Sequence, residues 1–82
     1  MADYLITWVD YASEQYLALD QPAADRLSER LQLLGRDPRR GASRDTTTDR
    51  WSVDFDAGRG LLVYIINEEN RRLVILRILH LG

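Results

Sequence analysis

The sequence predicts an α+β fold whose elements follow the order β-α-α-β-β-β. Two segments repeat apolar residues every three or four positions, as amphipathic helices do, at residues 11–19 and 22–34. Four segments have the β-branched and aromatic content or the alternation of strands, at residues 4–9, 50–55, 60–67 and 71–81. Short polar or glycine-rich turns separate the last three strands.

Length and composition are those of a small globular domain. The 82 residues allow one domain, spanning 1–82, and 45% of them are hydrophobic. No apolar run approaches the roughly 18 residues that a membrane-spanning helix needs, and the N-terminus has no basic segment of the kind that begins a signal peptide. Cysteine is absent, which excludes disulfides and thiolate ligands. We therefore expect a cytoplasmic protein without membrane association.

Each predicted helix has its own boundary signals. Asp10 and Ser13 offer capping side chains at the start of the first helix, and Asp20 offers one to the second. Gly35 is expected to end the second helix in the left-handed conformation. The apolar stripe of the second helix consists of Ala24, Leu27, Leu31 and Leu34.

Basic residues cluster after the second helix. Every basic residue is an arginine, and five of the eleven lie within residues 36–50. Residues 35–49 are expected to form a long polar loop, a length that in compact domains indicates function or disorder. Two interpretations stay open: a solvated connection, or a cationic flap that approaches a phosphate backbone.

The segment 61–66 organises the predicted sheet because it has no polar face. A half-buried strand alternates apolar and polar residues, whereas a strand covered on both sides is apolar throughout. We therefore expect this strand in the middle of the sheet, with material packed on each face.

Three local motifs occur in a fixed order along the chain. They are Leu33-Leu34-Gly35-Arg36-Asp37-Pro38, Gly60-Leu61-Leu62-Val63-Tyr64 and Val74-Ile75-Leu76-Arg77-Ile78-Leu79-His80. Together with the element order, they resemble the RelE/ParE superfamily of toxins from type II toxin–antitoxin systems, over nearly the whole chain. The resemblance implies a small curved antiparallel sheet packed against two helices. It also implies neutralisation by a cognate antitoxin, and either cleavage of messenger RNA on the ribosome or poisoning of DNA gyrase.

The resemblance implies a set of basic catalytic residues, much of which this chain lacks. Leu61 stands where the family commonly has an arginine, and the outward positions of the preceding strand hold Ser52 and Asp54 instead of basic residues. The remaining candidates for a catalytic role are Arg50, Arg59, Arg77 and His80.

These candidates also have structural interpretations. Two-residue alternation places Arg77 on the face of Leu73, Ile75 and Leu79, where an ion pair with Asp54 or another acid would satisfy its charge. The alternative is an arginine that binds an anion or a partner. Histidine is the residue type whose ordinary pKa suits proton transfer, and His80 is the one histidine of the chain, although a histidine near the chain end is commonly just exposed. One histidine without cysteine does not support a dedicated transition-metal site, and no cofactor is expected.

We expect an apolar partner-binding face on the sheet, covered by an antitoxin segment. Its predicted residues are Leu61, Val63, Ile65, Leu73 and Ile75. Three functions stay open: a toxin held inactive by its antitoxin, a ribonuclease, or a catalytically degenerate relative that only binds its partner. Gyrase poisoning is an alternative to RNA cleavage, and self-association into a homodimer is left open.

Overall fold

The computed structural model describes residues 3–81, which form two helices packed on one five-stranded sheet. The helices are α1 (Asp10–Leu17) and α2 (Gln21–Arg36). The strands are β1 (Leu5–Trp8), β2 (Ser43–Asp45), β3 (Arg50–Phe55), β4 (Gly60–Asn67) and β5 (Arg72–His80). The predicted α+β class is therefore confirmed. Neither helix in this part of the chain has the length and apolar content to cross a membrane.

The sheet is mixed rather than wholly antiparallel. Its strand order is β1-β5-β4-β3-β2, so the segment 61–66 lies in the central strand, as predicted. β1 pairs with β5 in parallel, and the other three pairs are antiparallel. The resemblance implies a wholly antiparallel sheet, and this expectation is wrong at one edge, where β1 pairs with β5 in parallel. The parallel pair arises because the chain leaves β1 through both helices before the last strand returns beside it.

The predicted loop 35–49 contains a strand. β2 pairs with the start of β3, with Asp45 opposite Arg50, and Arg44 forms an ion pair of 2.7 Å with Asp49 in the intervening turn. All three residues of β2 are exposed. Because such a strand has no apolar face, its sequence carries no alternation to predict it.

The helix starts differ in how they are capped. Asp20 caps α2 as predicted, since its Oδ1 accepts a hydrogen bond of 2.9 Å from the backbone N–H of Ala23. The predicted caps of α1 are wrong. Val9 occupies the cap position without a side-chain hydrogen bond, while Asp10 lies in the first turn and Ser13 lies inside the helix. An acidic residue in a first turn still interacts favourably with the helix dipole.

Gly35 does not end α2 in the left-handed conformation. It is buried in the last turn, and its carbonyl accepts a hydrogen bond of 2.8 Å from the N–H of Tyr4. The last helical residue is Arg36 and Asp37 is the C-cap, while the left-handed glycine of the connection that follows is Gly41, with φ of 70°. The approach of the chain segment before β1, rather than a turn, therefore explains a small residue at position 35.

The core lies between the two helices and one face of the sheet. The predicted stripe of α2 is confirmed at three positions, while Ala23 is buried in place of Ala24, which is only partly buried. Tyr64 is fully buried, as expected for a core residue. The core cluster consists of Ala12, Leu27, Leu31, Leu34, Val53, Phe55, Leu62, Tyr64, Leu73, Ile75 and Ile78.

β5 contains one extra residue relative to β4. Tyr64 lies opposite Ile75, whereas the preceding residue, Val63, lies opposite Arg77. Leu76 is therefore a β-bulge residue without a partner of its own. Beyond it, the alternation of inward and outward side chains is shifted by one position.

Tyr64 also fixes the connection after α2. Its hydroxyl donates a hydrogen bond to the backbone carbonyl of Pro38, which is itself buried. Burial raises the pKa of Tyr64 to about 12, because the phenolate would lose its contact with water. The connection between α2 and β2 is thus tied to the centre of the sheet.

We expect opposite effects from alanine at two glycines. At Gly60 a Cβ would lie 2.3 Å from Cζ of Phe55, so Gly60→Ala should lower the free energy of unfolding by about 1–3 kcal/mol. At Gly35 the nearest atom would be the carbonyl oxygen of Tyr4, at 3.5 Å, so Gly35→Ala should raise it by up to about 1 kcal/mol through helix propensity. Urea unfolding followed by tryptophan fluorescence measures both, and equal effects would contradict the model of packing.

We expect the wild-type chain to lose stability between pH 10.0 and about 12 more steeply than Tyr64→Phe does. The folded-state pKa of Tyr64 lies above its unfolded value, so its contribution is complete below the unfolded pKa and is lost as pH rises through the folded pKa. Near neutral pH, Tyr64→Phe should cost about 1 kcal/mol, since the Pro38 carbonyl loses its donor.

Urea midpoints of the two proteins across this pH range provide the measurement. The two proteins differ only at residue 64, so the difference between their pH profiles isolates the contribution of Tyr64. Parallel pH profiles would show that the Tyr64 hydroxyl does not titrate with folding.

Candidate functional site

The sheet face opposite the helices carries an apolar strip along β4. Leu61, Val63 and Ile65 alternate with the buried residues Leu62 and Tyr64, so their side chains project from the opposite face. Leu61 is 37% exposed, and the other two are partly buried. Both helices pack against the core side, so in residues 3–81 no helix covers this strip. We call this side of the sheet the open face.

Neighbouring strands extend the strip across the open face in two rows. Read from β3 through β4 to β5, the rows are Asp54–Leu61–Leu79 and Ser52–Val63–Arg77. Leu79 is 39% exposed, and the side chains of Asp54 and Arg77 are exposed. The strip is therefore flanked by a negative charge on β3 and a positive charge on β5.

A shallow depression of about 270 Å³ lies beside the strip. Thr48 and Arg50 of the β2–β3 hairpin line it, together with Leu61 and Val63. Asp45 of β2, the strand that the sequence did not predict, also lines this depression beside the open face.

The predicted partner-binding residues divide between the two faces. Leu61, Val63 and Ile65 lie on the open face, as expected. Leu73 and Ile75 do not: both are fully buried in the core beneath the helices. They alternate inward on β5 ahead of the bulge, so the predicted face loses these two residues.

Arg77 lies on the open face and not with Leu73 and Ile75, because the bulge reverses the alternation before it. Within residues 3–81 its guanidinium forms no ion pair, and neither does the carboxylate of Asp54. The expected ion pair between Arg77 and Asp54 is therefore wrong. β4 lies between their strands, and the two residues belong to different rows.

The four predicted catalytic residues do not come together. Arg50 begins β3 at the β2–β3 hairpin, and Arg77 stands on the open face. His80 ends β5 on the core side, and Arg59 lies in the turn between β3 and β4. Only Arg59 and the end of β5 are neighbours, since the N–H of Leu81 donates to the Arg59 carbonyl at 2.9 Å. The arrangement does not surround one phosphate with these four side chains.

His80 is held by contacts rather than exposed. Its Nε2 lies 2.9 Å from Oδ2 of Asp56, and its ring stacks on Phe55 with centroids 5.9 Å apart. Asp56 adopts a left-handed φ of 54° in the β3–β4 turn. Sequence reasoning did not connect Asp56 with His80, because their contact depends on strand register rather than on any local pattern.

His80 borders a depression of about 480 Å³ at the end of β5. Gln15 of α1 lines the same depression, and its Oε1 accepts a hydrogen bond of 2.7 Å from the N–H of Ile78. Residues 3–81 contain no group of three or more side chains placed to ligate a metal ion. At this corner His80 therefore contacts Asp56 and borders the depression, next to the β3–β4 turn that carries Arg59.

A separate polar network joins Tyr4, which precedes β1, to Glu68 in the turn between β4 and β5. The Tyr4 hydroxyl donates to both carboxylate oxygens of Glu68 at 2.9 Å, and Arg39 donates to the same carboxylate at 3.1 Å. These bonds lower the pKa of Glu68, and the bond to Glu68 raises the pKa of Arg39. Arg39 also lies over the Trp51 ring, 5.4 Å from its centroid. Arg39, from the predicted cationic flap, is thus engaged within the chain.

The chain resembles known proteins in its three-dimensional structure, whereas comparison with sequence families gives no match. No protein-family model matches the sequence. No curated protein matches it at a significant level either.

Several solved toxin structures resemble the chain over nearly its full length. A chain of the RelBE2 toxin–antitoxin complex from Mycobacterium tuberculosis is 24% identical, with 96% of this chain and 99% of that chain covered and a TM-score of 0.82. The isolated E. coli RelE toxin is 15% identical, with 96% and 85% covered and a TM-score of 0.84. The YoeB/ParE toxin from Agrobacterium tumefaciens is 15% identical, with 95% and 99% covered and a TM-score of 0.79. The chain therefore has the fold of the RelE and YoeB/ParE toxins.

Proposed function

We propose that this chain is the toxin component of a type II toxin–antitoxin module and that its open face binds the cognate antitoxin. The observation that carries the proposal is the apolar strip Leu61–Val63–Ile65, extended by Leu79 and covered by neither helix. Exposed apolar patches bordered by polar residues are typical of protein interaction sites. Structures of like fold that contain an antitoxin, such as the RelBE2 complex and the E. coli RelBE complex, support this assignment.

The antitoxin would also stabilise the chain. Domains of this size bury only about 60% of the surface of the unfolded chain. A partner that binds the folded form alone adds stability by mass action. Covering the open face would bury apolar side chains that the core leaves exposed, so partner binding and folding support each other.

We place the action of the toxin in the cytoplasm, where messenger RNA on the ribosome and DNA gyrase are the alternative targets. Catalysis of phosphoryl transfer depends on groups positioned around one phosphate. Arg77 and His80 lie on opposite faces of β5, which favours inhibition by binding over RNA cleavage. A relative that keeps only partner binding is the remaining alternative, and it would leave growth unaffected.

We expect expression of the chain alone to arrest growth without shortening messenger RNA on translating ribosomes. Co-expression of the neighbouring gene should restore growth. Growth curves and RNA blots measure the two effects, and DNA breaks would identify gyrase as the target.

Normal growth with a soluble monomeric product would contradict the toxin assignment. Messenger RNA cleavage that disappears in both Arg77→Ala and His80→Ala would show instead that these separated side chains act together. Cleavage that survives the double variant would remove both residues from any catalytic role.

We expect the double variant Leu61→Ser/Leu79→Ser to bind the product of the neighbouring gene about tenfold more weakly. Leu61 and Leu79 are 37% and 39% exposed, so covering what remains of each by a partner contributes about 0.7 kcal/mol. Titration calorimetry with the purified proteins measures the affinity.

The matched control is Leu17→Ser/Leu33→Ser. Leu17 and Leu33 are 80% and 44% exposed and lie on the helices. This variant removes the same atoms away from the open face, so its affinity should equal that of the wild type. Equal weakening by both variants would count against the open face as the binding site.

A further inference from the structure

We propose that Asp54 and Arg77 determine the orientation of the bound partner segment. The segment carries an apolar stripe with a basic residue on the side toward β3 and an acidic residue on the side toward β5. This inference rests on the proposed function, which places the partner on the open face, and it adds the chemistry that the partner must present.

The geometry comes from the two rows of the open face. Asp54 lies beside Leu61, and Arg77 lies beside Val63, so the two charges stand on opposite sides of the β4 strip. Adjacent strands are about 4.8 Å apart, which puts the backbones of β3 and β5 about 10 Å apart. That distance matches the width of one helix or extended segment with its side chains. A single segment over the strip therefore comes within reach of both charges.

The other charged residues of β3 and β5 either stand opposite a residue of the other sign or lie farther along the sheet. Arg50 stands opposite Asp45 on β2, so their charges balance across the β2–β3 pair. Arg72 lies at the far end of β5, opposite Asn67. Asp54 and Arg77 are thus the charged residues paired directly with Leu61 and Val63 in the sheet, while Arg50 and Asp45 border the same strip together through the depression at the β2–β3 hairpin.

Burial of Asp54 and Arg77 by a bound partner would make binding depend on the charges that the partner carries. Neither side chain has an ion pair within residues 3–81, so a partner that covers them must supply the opposite charge or pay for their desolvation. A segment lying in the reverse direction would bring like charges together. Leu61 and Leu79 therefore supply affinity, whereas Asp54 and Arg77 reject the wrong orientation and the wrong partner.

The test measures the affinity of charge-reversal variants for the purified product of the neighbouring gene. Asp54→Lys and Arg77→Glu should each weaken binding tenfold or more, and the effect should shrink in high salt. In the combined variant Asp54→Lys/Arg77→Glu, a segment in its original direction meets like charges on both sides, whereas a reversed segment meets opposite charges. Its loss of affinity should therefore be smaller than the two single effects added together. Glu14→Lys and Arg36→Glu, on exposed positions of the helices, are the matched controls and should bind as the wild type does.

The outcomes separate this inference from the proposed function. If the leucine variants weaken binding while both charge reversals do not, the open face binds the partner and the orientation role is wrong. If neither set weakens binding, both proposals fail. Equal weakening by the helix controls would indicate long-range attraction without orientation, which also overturns the inference. Should a reversal disturb folding, Asp54→Asn and Arg77→Gln repeat the test with side chains of nearly unchanged shape.

Discussion

The single extra residue in β5 determines what each face of the sheet presents. If Leu76 took a regular place in the alternation instead of forming the bulge, Arg77 would point into the core beneath the helices. With the bulge, the core keeps apolar side chains on both sides of it, and the one charged residue in the middle of β5 reaches solvent. A buried unpaired guanidinium would cost several kcal/mol in a domain whose total stability is only about 5–15 kcal/mol. The bulge thus keeps a charge out of the core and places that charge on the open face.

The elements with strong periodicity could be predicted from the sequence, and those set by register could not. The stripe of α2 and the all-apolar β4 identify the helix and the central strand, since burial imposes their patterns. β2 has three exposed residues and no pattern at all. The parallel pairing of β1 with β5 depends on how the finished chain returns, which no local signal in either strand records.

In the candidate site, too, the features set by periodicity could be predicted and those set by strand register could not. The apolar strip on β4 could be predicted from the absence of a polar face in residues 61–66. The expected cover on both faces is not found within residues 3–81, where the helices pack on the core side alone. Leu73 and Ile75 were assigned to the wrong face because a bulge carries no composition signal. The contact of Asp56 with His80 joins residues 24 positions apart and depends on a left-handed turn. The continuous apolar strip, with the cationic residues scattered around it, is what supports the proposed binding of a protein partner.

The place of β5 in the sheet has a consequence for synthesis. The last strand of the chain lies between β1 and β4, and it contacts both. Residues 72–80 must therefore leave the ribosome before the sheet closes, and until then the inner edges of β1 and β4 remain unpaired. Contacts between strands so distant in sequence also slow folding. The newly made chain thus passes through an unfinished state that exposes strand edges, the kind of surface that associates with other chains.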